Sequence, residues 1–281
     1  MPYSLLLQRS VLLFITLFAL LAAGIARSQP PPTIAIIIDD LGNHEQMGDR
    51  LIAIPTPLTL AFLPLRRHTK QQAQKAHQRG KEVMLHAPME NTRNIPLGAG
   101  GLSRQMSNQE LLTTFRHSLR SIPFVSGVNN HMGSTLTQDR RAMNVLMREL
   151  KGYSLYFVDS RTTASSIAHK TAVDYKIPAL TRDIFLDNNI KTKDIHRQFR
   201  KLVEVARTNG TAIAIGHPHL RTVRYLERML PKLGKEGIAV ATVGGIWAIR
   251  NNAREMFSAD RPHHPSLVAQ SVDELLERQI N

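Results

Sequence analysis

In this 281-residue chain the side chains best suited to chemistry sit where short apolar runs end. Asp39-Asp40 follows the run TIAIII at 33–38, and His86 ends EVMLH at 82–86. Asn129-Asn130-His131 closes a run that begins at Phe124. Asp159 and Arg161 follow 154–158, Arg182-Asp183 follows 178–181, and His217-Pro218-His219 follows 211–216. Two adjacent carboxylates leaving a buried strand need cations, hydrogen bonds or a metal to offset their burial. Side-chain alternation along the strand would send them in different directions, leaving one free as a base while the other ligates. The plainer alternative is a capping pair for a helix after Gly42.

A histidine at the end of an apolar strand suits metal ligation or proton transfer, although a lone one is often a satisfied rim residue. Glu90 lies four residues beyond His86, but Pro88 between them rules out a shared helix face. Glu90 either binds the same ion or holds His86 in place. His131 lies in an amide-rich, turn-prone stretch; the plainer alternative is a loop His with Asn129 and Asn130 as turn formers, and Asn130 is also a candidate to contact substrate or support the site. One Asp and two His, with positions left for water, form an ordinary set for Zn2+ or a similar divalent ion. His217, after an apolar strand and a glycine, is placed to protonate a leaving group near neutral pH. His219 competes for that role but opens the next helix. Asp159 and Arg161 either orient these groups or form a rim ion pair, and the same holds for Arg182, Asp183 and Asp187.

Placing these residues together requires a particular architecture. Eight apolar runs, the six above with 58–63 and 238–242, alternate with helix-spaced segments. Several runs are continuous and β-branched, as in parallel strands buried on both faces. Helices are expected after His44, over Thr69–Gln78, from the cap-like Ser107-Asn108-Gln109-Glu110, and over 138–150, 165–175, 193–208 and 222–233. Asn209-Gly210 is a left-handed stop for the long one. Such alternation implies a parallel sheet covered by helices. Seven to eight units favour an α/β fold that is a closed or nearly closed (β/α) barrel. The C-terminal ends of barrel strands converge on one face, which would make neighbours of all these residues. There is no G-x-G-x-x-G and no P-loop, which removes the usual nucleotide-binding readings.

The chain ends read differently. Residues 1–28 have a basic start, an apolar run and a small-residue exit, the pattern of a secretory signal peptide. The alternative is an uncleaved anchor, for which the run is slightly short. Either way the body is expected to be exported, periplasmic or secreted, with no later membrane span. Residues 29–32 form a Pro-rich linker, 33–250 the barrel domain, and 251–281 a loose tail with a short helix near 272–278. Without cysteine, lipid attachment through an N-terminal Cys is excluded. A domain of this size does not need disulfides. Net charge is +14, and removing Arg9 and Arg27 with the signal leaves +12. That balance favours polyanions in general. The basic residues are scattered, however, and no nucleic-acid motif is present, so nucleic acid is not an expected partner.

In this order, IAIIIDDLG, VMLHAPME, VNNHMGS, LYFVDSRT, TRDIFLDN and AIAIGHPH resemble the divergent polysaccharide deacetylase family. The resemblance covers nearly the whole body, from Thr33 to Trp247. It implies kinship with the polysaccharide deacetylases, whose fold is a distorted, often seven-stranded βα-barrel holding a divalent metal, usually zinc. By that resemblance Asp39 is the general base, Asp40 the metal-binding Asp, His86 the first metal His and His217 the general acid. Glu90 stands where the standard family has its second metal His, so His131 is the expected replacement. The standard R-x-P-Y segment is absent. The expected function is an exported metal-dependent hydrolase removing acetyl groups from a carbohydrate polymer such as an envelope glycan. A barrel with little turnover that binds carbohydrate or a partner is the alternative. A metal-dependent hydrolase for phosphoesters or amides is a third reading, without a dedicated phosphate loop to support it.

Overall fold

The computed structural model describes residues 30–257. The expected signal peptide at 1–28, Gln29 of the linker and the tail helix expected near 272–278 lie outside the described residues. Among the described residues the strands are β1 Thr33–Leu41, β2 Thr59–Phe62, β3 Glu82–Met89, β4 Val125–Met132, β5 Tyr156–Asp159, β6 Ala179–Thr181, β7 Ile184–Phe185, β8 Thr211–Gly216 and β9 Ala239–Ala241. The helices are α1 Glu45–Ala53, α2 Thr69–Gln78, α3 Asn108–Arg120 and α4 Arg140–Leu150. They continue with α5 Ala168–Asp174, α6 Thr192–Asn209, α7 Leu220–Met229 and α8 Val243–Phe257. No helix among them is long and apolar enough to cross a membrane.

Local chemistry sets several boundaries. Ser107 accepts from the Glu110 amide while Glu110 reaches back to the Ser107 amide, a reciprocal cap that starts α3. Asp139 caps α4 through the Ala142 amide. Gly210, at a φ of 79°, ends α6 in a conformation that costs a side-chain-bearing residue more.

Every strand pairing is parallel, and the order is β6-β5-β4-β3-β2-β1-β8-β7, with β9 paired to β1 off that path. β1 is the hub, with β8 along one side and β2 and β9 sharing the other. The path ends on β6 and β7, which are consecutive in sequence and are not paired with each other. They are two parts of one segment, residues 179–185, that runs between β5 and β8. The Arg182 amide donates to the Asp159 carbonyl and the Asp183 amide to the Ile213 carbonyl, so the curled sheet comes back on itself as a distorted, nearly closed barrel. The two-residue β7 was not visible in the sequence because Ile184-Phe185 is too short to show a period.

Alternation divides each strand between two apolar layers. Ile34, Ile36 and Ile38 join the outer core under the helices, whereas Ala35 and Ile37 face inward with Ala61, Met84, Tyr156, Val158, Ile213 and Ile215. Gly127 belongs to this inner layer because a Cβ there would come within 2.4 Å of the Tyr156 ring.

Val243, Ile246 and Trp247 of α8 pack into the inner layer from the N-terminal ends of the strands. The start of α8 is held by Glu82, which accepts from Thr59 Oγ1 at 2.7 Å, the Val243 amide at 2.9 Å and the Gly244 amide at 3.1 Å. A Cβ on Gly244 would lie 2.6 Å from that carboxylate. Burial pushes Glu82 above the ordinary carboxylate range, against the pull of these donors. The expected domain end at residue 250 thus falls inside a helix that runs to Phe257. Helical periodicity there was masked by Gly244-Gly245. Glu82→Ala would leave these donors unpaired, and we expect it to lower unfolding free energy by about 2–4 kcal/mol, read from urea denaturation.

Candidate metal and acid–base site

At the C-terminal ends of the strands the inner layer turns polar. Asp39 continues the Ala35-Ile37 face of β1, His86 the Met84 face of β3, and Asn129 the Gly127 face of β4. His217 continues Ile213-Ile215 just beyond β8. Asp39 and His86 are each 2% exposed, and Asn129 is fully buried. Asp40 ought by alternation to point away, but its φ is 60° and the β1–β2 register shifts between Ile38 and Leu41. This left-handed residue, tolerated better by Asp than by most side chains, returns its carboxylate to the same side. The two carboxylates therefore meet opposite edges of one imidazole. Asp39 Oδ1 is 3.5 Å from His86 Nδ1, and Asp40 Oδ1 is 3.2 Å from His86 Nε2.

Three donor atoms converge at this point. His131 Nδ1 lies 2.9 Å from Asp40 Oδ1 and 3.0 Å from His86 Nε2, closing a triangle with the 3.2 Å edge. Asp40 Oδ1 is buried yet makes no well-directed hydrogen bond. An orphaned carboxylate oxygen between two imidazole nitrogens fits a divalent ion bound at about 2.0–2.2 Å from each. The group Asp40, His86 and His131 could hold such an ion. Asp40 and His131 keep 32% and 16% of their side-chain surface, which leaves the group open on one side.

Electrostatics separate the acids. Burial raises Asp39 above the ordinary range, against the pull of His86, His217 and the Asn129 hydrogen bond. Asp40 is also pushed up by burial, but the close His131 and His86 imidazoles outweigh it and hold it well below that range. His86 is lowered by burial and raised more by Asp39 and Asp40. His217 Nδ1 donates to Asp187 Oδ1 at 2.9 Å, which leaves Nε2 facing Asp40 Oδ2 at 4.0 Å. Burial lowers His217, yet Asp187 first and then Asp39 and Asp40 carry it up to about 9. Asp187 also accepts from the His217 amide and Thr222 Oγ1, so its carboxylate is fixed.

A model of the family described as divergent polysaccharide deacetylase matches residues 36–247. The chain belongs to this divergent polysaccharide deacetylase family. The uncharacterized protein YibQ of Escherichia coli K12 is 37% identical over 226 residues, 80% of this chain and 69% of that protein. An uncharacterized protein of Haemophilus influenzae Rd is 34% identical over 214 residues, 76% of each chain. The crystal structure of ATU2773 from Agrobacterium tumefaciens C58 shares the fold, with a TM-score of 0.74 at 23% identity over 79% of this chain and 91% of that one.

In this family member the other candidates take different places. Glu90 turns from the triad to Arg104, accepting from its amide at 2.7 Å and lying 3.2 Å from its Nε, and it lines a separate polar cleft of about 510 Å3. Asn130 pins the β4–β5 junction, accepting from the Ser160 amide and donating to the Met132 carbonyl. Asp159 faces the helix layer, where it accepts from the Arg161 and His169 amides and Ser166 Oγ. Its contact with Arg161 is thus to the backbone. Arg161 is exposed and has a φ of 48°. Arg182 donates to the Ser160 and Arg161 carbonyls and stacks on Phe185, whose other ring neighbour is His217. His219 is exposed at the N-terminus of α7, its ring 5.8 Å from that of His217. Asp183 binds the Ile213 amide and Arg250.

Sequence reasoning treated Asn129 as a turn former and left Asp187 without a definite role. The inward phase of Gly127-Asn129 is the signal that could have found the first. Titration with Zn2+, Co2+ or Mn2+ should show one ion per chain. Asp40→Ala or His131→Ala should weaken it by more than about 100-fold, and Glu90→Ala should leave it unchanged.

Proposed function

We propose that the protein is an exported metal-dependent hydrolase that removes acyl groups, acetyl foremost, from a carbohydrate polymer of the cell envelope. The observation that supports this reading is the convergence of Asp40, His86 and His131 on one point, with the acid–base candidates Asp39 and His217 beside it. Family membership supports the carbohydrate, and the signal-like residues 1–28 support export. Two imidazoles and a carboxylate suit Zn2+. Such an ion would polarise the acyl carbonyl and make a water more acidic.

The chain's own groups then divide the proton work. Asp39 is buried, held by Asn129 and pushed up in pKa, which makes it a stronger base than an exposed carboxylate. It takes the proton of the attacking water. His217 is protonated near neutral pH because its pKa is about 9, and its Nε2 faces the site. It delivers a proton to the departing amine or alkoxide. Asp187 keeps the proton on Nδ1 and the imidazole in one orientation. Asp40, His131 and His217 carry the solvent-facing surface, so substrate would approach from their side.

Acetate release from N- and O-acetylated glycan oligomers tests this. Asp39→Asn and His217→Ala should each lower kcat by about 10²–10⁴-fold while retaining the ion. Unchanged turnover after complete metal removal would reject the mechanism. The sign of the pH dependence follows from the two groups. Activity falls as acid protonates Asp39, at a pH above the ordinary carboxylate range, and falls again as His217 loses its proton through about pH 9. In Asp187→Asn the carboxylate that raises His217 is gone, so the alkaline limb of the rate profile should move to lower pH.

A further inference from the structure

We infer that Asn129 is a positioning residue of the metal centre: its amide selects Nε2 of His86 as the free nitrogen and ties that imidazole to Asp39. The inference rests on the metal reading of Asp40, His86 and His131. Asn129 is fully buried on the inner face of β4, directly paired in register with His86 on β3. Its Oδ1 is 2.8 Å from His86 Nδ1, and its Nδ2 is 2.8 Å from Asp39 Oδ1. A carboxamide oxygen only accepts and a carboxamide nitrogen only donates. Turning the amide over would set its oxygen 2.8 Å from a carboxylate oxygen and its NH2 against the imidazole. Ionised Asp39 therefore fixes the amide, and the amide fixes the proton of His86 on Nδ1.

The consequence falls on the far side of the ring. With Nδ1 protonated, Nε2 presents a lone pair toward the space shared with Asp40 Oδ1 and His131 Nδ1, 3.2 and 3.0 Å away. A metal-binding histidine needs its second nitrogen anchored in this way. Here the anchor is an amide whose other hand holds the proposed base. One side chain thus sets the ligand's tautomer and the base's placement together. An Asn is better suited than an ionised carboxylate, which has no proton to donate to Asp39 and could take this place only by holding a proton between the two acids.

The test uses the full protein with Zn2+ as the probe. In zinc-loaded protein labelled with 15N-histidine, His86 should show a protonated Nδ1 and a coordinated Nε2. By chelator competition, Asn129→Leu should weaken zinc by about 10–100-fold. Asn129→Asp keeps an acceptor for Nδ1 and can share a proton with Asp39, so it should restore affinity toward wild type. A general packing defect would weaken both variants alike. Zinc on His86 Nδ1, wild-type affinity in Asn129→Leu, or equal losses in both variants would overturn the inference. No zinc uptake by wild-type protein would overturn the metal reading and this inference with it, whereas uptake unchanged in Asn129→Leu would overturn this inference alone.

Discussion

A carboxylate with 2% of its surface exposed, as Asp39 has, needs compensation that its own strand cannot provide. Along β1 its inward neighbours are Ala35 and Ile37, and both are apolar. The compensation comes from other strands: Asn129 by hydrogen bond, His86 and His217 by charge. Their reach depends on strand register, and register depends on the two apolar layers. A shift of one residue would exchange the inner and outer faces of a strand. It would send Asp39 or His86 among the isoleucines beneath the helices. The apolar pattern is thus what places a polar cluster where it can be satisfied, and the cluster in turn penalises every other register.

Asp40 adds a local constraint. A non-glycine residue at φ 60° costs on the order of 1–3 kcal/mol, which surrounding structure must offset. Met132, the last residue of β4, and Leu65 and Arg161, just beyond β2 and β5, also have positive φ. At Asp40 the gain is specific: regular pleating would have turned its carboxylate outward, whereas the left-handed residue puts both acids on one imidazole. The base and the candidate ligand are distinguished by which edge of His86 each one meets. They are not separated by facing different sides of the sheet, as alternation had suggested.

The sequence disclosed the strand ends because β-branched runs stop abruptly at polar residues. It also disclosed the βα alternation, since the helices between carry a different period. It could not disclose phase where a strand is apolar on both faces. Tyr156, Phe157 and Val158 look equivalent, yet Phe157 belongs to the outer core, and Asp159 shares its phase and faces α5. The same ambiguity hid Asn129, since two consecutive asparagines read as a turn. Asp187 was obscured because the two-residue β7 ahead of it leaves no pattern. The way the sheet comes back on itself was equally hidden, since it depends on residues 179–185 pairing first with β5 and then with β8, and these are ordinary strand formers.

Glu90 and His131 mark where the candidate ion site departs from the ligand spacing that the resemblance implied. Two ligands four residues apart would both depend on the one segment after β3. Here the second imidazole comes from β4, whose His131 pairs in register with Pro88. Glu90 is released to Arg104 and the neighbouring cleft. The candidate ion site therefore spans three strands, β1, β3 and β4, and its triangle of donors exists only when those strands are aligned. β2 lies between β1 and β3 in the sheet, so the alignment passes through four consecutive strands. An ion bound there would add its affinity to the folded state alone, because the unfolded chain separates Asp40 from His131 by ninety-one positions of sequence. Ion binding and sheet register thus favour the same arrangement, and the buried Asn129 between His86 and Asp39 is the point at which the two are joined.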